Sequence, residues 1–239
     1  MDRCELTGAV FIDLQKAFDT VEHSILLSKL PLYGIYNDEL KWLCSYLTGR
    51  FQFVQYGNSL SETKAVKFGV PQGSILGPLL FLLHINELAK CIKKCNLLMY
   101  ADDAIIYTSH SSFQVIETIL TTDIKGISER MNENRLIINF KKGKTESMLF
   151  GTAKRLTATV PLEIFIDNRL INFVKGYKYL GTWLDPCVNM SEHLEKVFKK
   201  ASSRLRLLSR MRRSLTKAAA ESNHLTNYLV LLKFSFESI

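Results

Sequence analysis

An α+β fold is expected for this chain, with helices packed on one face of a mainly antiparallel sheet, and three observations predict it. Short apolar runs of strand length alternate with segments whose apolar residues recur every three or four positions. Their order is strand, helix, hairpin, helix, strand, which suits helices segregated to one face of a sheet. With 239 residues, 47% of them hydrophobic, the chain can bury a substantial core, and no stretch is polar enough to remain unfolded by composition.

The elements follow in order. Ala9–Asp13 reads as a core strand that ends in an acid. His23–Leu30 carries Ile25, Leu26, Leu27 and Leu30 at helical spacing, and Pro31 closes it. Asn37 is placed to cap a helix bearing Leu40, Leu43 and Leu47, which Gly49 ends. Phe51–Tyr56 and Thr63–Val70 flank Gly57-Asn58-Ser59 and suggest a hairpin. Pro71-Gln72-Gly73-Ser74 breaks that pattern and opens a helix with Leu76, Leu79, Leu80 and Leu83 on one face. Leu97–Tyr107 reads as two strands, with Asp102-Asp103 at the turn between them.

Ser112–Met131 has apolar residues in steps of three and four and predicts a long helix. Strand candidates at Leu136–Ile138 and Ser147–Phe150 surround a basic loop that carries Lys141, Lys142 and Lys144, and further ones lie at Glu163–Ile166 and Tyr177–Leu184. A final helix bears Leu194, Val197, Phe198, Ala201, Leu205, Leu208 and Leu215 on one side and basic residues on the other. The natural boundary falls near Asp185-Pro186, which divides the chain into 1–185 and 186–239.

Composition narrows the function. Lysine and arginine outnumber aspartate and glutamate 31 to 23, and the net charge of +8 favours a polyanionic partner. The longest apolar stretch, Ile75–Ile85, contains Pro78 and His84 and is too short to span a bilayer, so no membrane partner is expected. Cys91 and Cys95 have no second pair at zinc-ligand spacing, and reduced thiols are the expectation. No basic, apolar, small-residue leader opens the chain, so an intracellular, non-secreted protein is expected. Both ends read as cut from something longer.

The chemistry rests on acids. Carboxylates inside an apolar run are costly unless paired or bound to a metal. Asp13 ends the first strand, and Asp102 and Asp103 sit at the hairpin turn. If that strand pairs beside the hairpin, three carboxylates meet at one sheet end, as a two-metal phosphoryl-transfer site needs. A plain acidic turn is the competing explanation.

Phe11-Ile12-Asp13-Leu14-Gln15-Lys16-Ala17-Phe18-Asp19, Gly69-Val70-Pro71-Gln72-Gly73-Ser74-Ile75-Leu76-Gly77-Pro78 and Tyr100-Ala101-Asp102-Asp103 resemble motifs A, B and C of reverse transcriptases. Asn139 to Phe150 resembles motif D, and Tyr179–Asp185 resembles motif E. The style is that of non-LTR (LINE-type) retrotransposon enzymes. The resemblance implies a polymerase palm, with a ferredoxin- or RRM-like antiparallel sheet over residues 1–185. It also implies a partial helical thumb over 186–239, with the fingers largely absent.

It implies roles as well. Asp13, Asp102 and Asp103 would be the catalytic, metal-binding acids for two Mg²⁺ ions, or Mn²⁺ in their place. Phe18 would fill the space of a 2′-hydroxyl and so favour dNTP over rNTP. Gln72, Gly73 and Tyr100 would shape the nucleotide pocket. Lys144 resembles the motif D lysine that protonates or counters the departing pyrophosphate. The usual Asn-x-x-Lys-Thr spacing is two residues longer here, which leaves Lys142 as the alternative. Gly181 and Trp183 would grip the primer, and Lys196, Lys200 and Arg204 would track phosphates in a basic stripe extending to Arg213 and Lys217. The partners implied are an RNA template, a DNA primer and dNTPs. The expected function is RNA-directed DNA polymerisation. The alternatives are an inactive remnant that only binds nucleic acid and an unrelated metal-dependent phosphohydrolase, which would share the acids but explain neither Gln72-Gly73 nor the later hairpin.

Overall fold

The computed structural model describes residues 5–157 and 160–212. At its centre is a five-stranded sheet of β1 (Leu6–Ile12), β2 (Asn96–Tyr100), β3 (Asp103–His110), β4 (Glu146–Phe150) and β5 (Asn172–Phe173). The spatial order is β5-β4-β1-β3-β2. β1 is the middle strand and runs antiparallel to both β3 and β4, while only β5 runs parallel to its neighbour. This is the antiparallel-rich α+β architecture expected from the order of elements.

The helices are α1 (His23–Lys29), α2 (Asn37–Leu47), α3 (Leu76–Ile85), α4 (Phe113–Glu133) and α5 (Ser191–Arg212). In β1 the residues with even numbers face α4, because strand side chains alternate between faces. Gly8 shows how close that contact is: a Cβ there would meet Ile116 Cγ2 at 2.4 Å and Leu120 Cδ1 at 2.9 Å. One apolar core joins Val10, Ile12, Ile106 and Leu149 of this face to Leu26, Leu80, Phe81, Ile116, Leu120 and Ile124 of α1, α3 and α4. α1, α3 and α4 therefore share one face. On the other face, Phe11 stacks on Tyr177 with ring centroids 4.0 Å apart.

Two buried polar groups lock the helix ends. The Lys29 ammonium pairs with Glu87 at 3.1 Å and donates to His84 O and Asn134 Oδ1 at 2.7 Å each, joining α1 to the ends of α3 and α4. Burial, and then the Lys29 charge, push the His84 pKa down to about 4, so this imidazole is neutral at pH 7. Asp123 of α4 accepts the backbone N–H groups of Lys93, Lys94 and Cys95 at 3.2, 2.9 and 2.7 Å. That fixes the chain as it enters β2.

Several expectations are corrected in detail. Asn37 does not cap α2; it is the first helical residue, at φ 47°, and Tyr36 holds the cap position without a side-chain bond. The buried face of α3 is Gly77, Leu80, Phe81, His84 and Ile85, while Leu79 is 51% exposed. The helix is apolar nearly all round, so its sequence carries no phase. Leu136–Ile138 forms only a single bridge, Ile138 to Leu14. The expected 51–70 hairpin is two short pairs, Phe51–Gln52 with Lys64–Ala65 and Gln55–Tyr56 with Ser59–Leu60.

The chain divides into two compact units, 1–177 and 178–239. The second contains most of a hairpin of β6 (Tyr177–Tyr179) and β7 (Thr182–Leu184), followed by α5. Leu194, Phe198 and Leu205 of α5 are exposed. Leu215, Arg213 and Lys217 lie outside the described residues. No helix among the described residues is long and apolar enough to cross a membrane.

Asp123→Asn is expected to cost about 1–3 kcal/mol in urea denaturation, because one accepting oxygen becomes a donor facing backbone N–H groups. Burial raises the Asp123 pKa, but the backbone hydrogen bonds outweigh it and hold the group below its ordinary value. The stabilisation is therefore present above the unfolded pKa of about 3.9 and is lost as pH falls through the lower folded value. The gap between wild type and variant should close accordingly below about pH 4.

Candidate active site

The register of β1 and β3 builds the site. Ile12 pairs with Ala104, so Asp13 and Asp103 are the next positions in register at the end of both strands. β2 and β3 form a hairpin in which Tyr100 pairs with Asp103 across the two-residue turn Ala101-Asp102. Ala101 takes φ 53°, the left-handed value such tight turns require. All three carboxylates thus come to one end of the sheet, partly buried.

Asp103 shows the crowding. Burial first, then the charges of Asp102 and Asp13, raise the Asp103 pKa, against a smaller opposing pull from Lys144. Such crowding is unfavourable unless a cation offsets it. One cation is already present: the Lys144 ammonium lies 3.1 Å from Asp13 Oδ2. A donor set of hard oxygens in which an ammonium holds one carboxylate fits a divalent ion such as Mg²⁺. Among the described residues no three His, Cys, Asp or Glu side chains are already gathered at metal-ligand distance.

Asp13 is gripped from a distant segment. Asn139 Nδ2 donates to its Oδ1 at 2.8 Å, and Asn139 N donates to its carbonyl at 2.8 Å. The Asp13 N–H donates to Thr145 Oγ1 at 3.2 Å. The loop carrying Lys144 is tied in turn. Glu146, buried, accepts the Gly143 N–H at 2.8 Å, and the Tyr177 hydroxyl donates to Lys144 O at 2.8 Å. Of the two candidate lysines, Lys144 is the one on the acids. Asn139, Thr145 and Glu146 lie in the segment that resembles motif D, but the sequence assigned them no role at the site; their hold on Asp13 and on the loop comes from the fold.

The remaining candidates lie around this end of the first unit. Phe18, half-buried, stacks on Phe81 with centroids 4.6 Å apart, so its ring is braced on the core beneath it. Gln72 is exposed and donates to Asp19 Oδ1 at 2.7 Å, which ties the 69–73 turn to the segment after Asp13. His23 Nε2 and Gly69 O, 2.7 Å apart, fix the same turn from α1. Gly73 sits at φ +80° with nothing within 4 Å of where a Cβ would lie, so it is required by conformation and borders open space. An open cavity of about 600 Å³ lies beside Gln72, with Asp19 and Arg50 among its polar walls. Tyr100 is 66% exposed on β2.

In the second unit Gly181 takes φ +92° in the β6–β7 turn. Trp183 is tied to α5: its backbone N–H donates to His193 Nδ1 at 3.2 Å, and the Lys196 ammonium lies 3.0 Å from its ring centroid. Lys196 also pairs with Glu192. Lys200 and Arg204 are exposed.

A central acid-tipped strand beside an acid-tipped hairpin, with helices packed on one face, is the arrangement of a polymerase palm-like fold. Residues 3–184 match the family described as reverse transcriptase (RNA-dependent DNA polymerase), and the chain belongs to that family. Its relatives include the probable RNA-directed DNA polymerase from transposon BS of Drosophila melanogaster, 31% identical over 87% of this chain and 23% of that protein. The X-element polymerase of the same fly is 29% identical over 97% of this chain and 25% of that protein. The polymerase from mobile element jockey of Drosophila funebris is 28% identical over 81% and 21%. The chain thus spans about a quarter of the length of these relatives. In fold it resembles apo telomerase of Candida tropicalis (TM-score 0.50, 13% identity, 78% of this chain and 35% of that one). Telomerase of Candida albicans in complex with a fragment of telomeric RNA is similar (TM-score 0.51, 10% identity, 77% and 30%). Enzymes of the reverse transcriptase family generally use divalent metal ions.

Replacing Asp103 with Asn should raise the melting temperature of the protein in EDTA, because an ionised carboxylate whose folded pKa is raised costs stability at pH 7. A lower melting temperature than wild type would contradict the crowding described.

Proposed function

We propose that this chain is the polymerase domain of a retrotransposon reverse transcriptase, which joins dNTPs to a primer 3′-hydroxyl on an RNA template. The observation that carries the reading is the register that sets Asp13 beside Asp103, one residue from Asp102. Asp13 and Asp102 would hold two Mg²⁺ ions, or Mn²⁺, with Asp103 assisting. Bound there, the ions supply Lewis-acid activation of the hydroxyl and neutralise charge on the leaving pyrophosphate. Lys144 is within reach of the same end and gives the pyrophosphate a proton or a counter-charge. The Phe18 ring, braced by Phe81, would fill the space of a 2′-hydroxyl. Gln72, Gly73 and Tyr100 form the polar and open sides of the nucleotide pocket. We read 1–185 as the palm, in which Gly181 and Trp183 support the primer, and 186–239 as a partial thumb, in which Lys196, Lys200 and Arg204 meet phosphates.

Extension of an oligo(dT) primer on poly(A) tests the reading. Wild type should incorporate dTTP with Mg²⁺, and Asp102→Asn should fall about a thousand-fold, equivalent to roughly 4 kcal/mol of transition-state stabilisation. Equal incorporation by both proteins would remove the proposal. Salt-sensitive nucleic-acid binding with no metal-dependent incorporation would leave only the binding remnant. Changing Lys200 and Arg204 together to Gln should lower the slope of log affinity against log salt by roughly 2, at about 0.9 for each duplex phosphate no longer neutralised.

A further inference from the structure

We infer that Asn139 is the positioning residue for Asp13, holding one carboxylate oxygen with a neutral donor so that the other is presented outward to a cation. The inference rests on the polymerase reading above. Asp13 lies one residue past the last paired position of β1, so the ladder of β1 and β3 does not fix its side chain. What fixes it comes from 126 residues away: Asn139 Nδ2 donates to Asp13 Oδ1 at 2.8 Å. Asn139 Oδ1 accepts the Lys141 N–H at 3.2 Å. That second bond sets which end of the amide faces the acid, since the flipped amide would turn its oxygen on a carboxylate oxygen. The Asn139 backbone N–H also donates to the Asp13 carbonyl at 2.8 Å, so main chain and side chain are held by one residue.

The division of labour at Asp13 follows from charge. Oδ2 is held by Lys144, a cation that a divalent ion would displace by repulsion and competition. Oδ1 is held by an amide that carries no charge and therefore stays when a metal arrives. Asn139 acts through Asp13 and touches no substrate.

Asn139→Ala removes the donor. Asn139→Asp keeps the shape and the acceptor for Lys141 N–H, since Asp makes the same local turn as Asn, but sets oxygen against Asp13. If Asn139 served only the turn, the Asp variant would behave as wild type. The expected result is that both variants lose about 100-fold in kcat at saturating dNTP and Mn²⁺, the scale of a 1 Å misplacement of a reacting group. Primer–template affinity measured without metal should be unchanged for the Ala variant. A second readout needs no turnover: Mn²⁺ binding to the chain without substrates, followed by electron paramagnetic resonance, should weaken about tenfold in the Ala variant, as expected when a group that orients a metal ligand is removed. Wild-type kcat in Asn139→Asp, or unchanged Mn²⁺ affinity in Asn139→Ala, overturns the inference while leaving the polymerase reading intact. A wild-type chain that binds Mn²⁺ but extends nothing sinks the polymerase reading instead, and the Mn²⁺ comparison still decides Asn139. A wild-type chain that neither binds Mn²⁺ nor extends the primer overturns both, and one that extends it without binding Mn²⁺ in the absence of substrates leaves the kcat of Asn139→Asp to decide Asn139.

Discussion

The antiparallel pairing of Leu6–Ile12 with Asp103–His110 is the constraint on which the rest depends. Side chains alternate along a strand, so a slip of one residue would turn Val10 and Ile12 away from the helices and move Asp13 off Asp103. Burial prevents the slip. Val10 and Ile106 are fully buried opposite one another, and Gly8 leaves the space in which α4 can lie so near the sheet. The hydrophobic core and the placement of the acids are therefore one specification. What seats the apolar residues also aims the carboxylates.

The acids themselves oppose folding. Three carboxylates near one sheet end repel, and burial adds to the cost for Asp103. The opposing interactions are local: the Lys144 ammonium, the Asn139 amide and the Thr145 hydroxyl all converge on Asp13. Glu146 and Tyr177 hold the loop that delivers two of those groups. A strained cluster thus persists because its surroundings determine it several times over.

Much of this was legible in the sequence where one force acted alone. α4 shows three-and-four spacing, and of its expected residues Ile116, Leu120, Ile124, Ile127 and Met131 are buried while Phe113 and Ile119 are half-buried. Asp102-Asp103 between apolar runs marked a turn, which falls one residue earlier, at Ala101-Asp102, with Asp103 opening the next strand. Legibility failed where signals cancelled or came from afar. α3 is apolar on every side, so its buried face could be set only by what packs against it. The apolar stripe of α5 has the period of a packed helix, yet Leu194, Phe198 and Leu205 are exposed. Asn37 has the chemistry of a cap but sits one residue too late. Asn139 and Thr145 meet Asp13 across 126 and 132 residues, a relation that no local pattern encodes.

The sheet order has a mechanical consequence. Asp13 leaves a strand paired on both sides and is clamped again by the 139–145 loop, so it behaves as the fixed jaw of a vice. Asp102 rides on a hairpin whose outer strand, Asn96–Tyr100, has a neighbour on one side only within the sheet. That hairpin is the less braced jaw, so a change in the span between the two carboxylates is taken up at Ala101-Asp102 before it reaches Asp13.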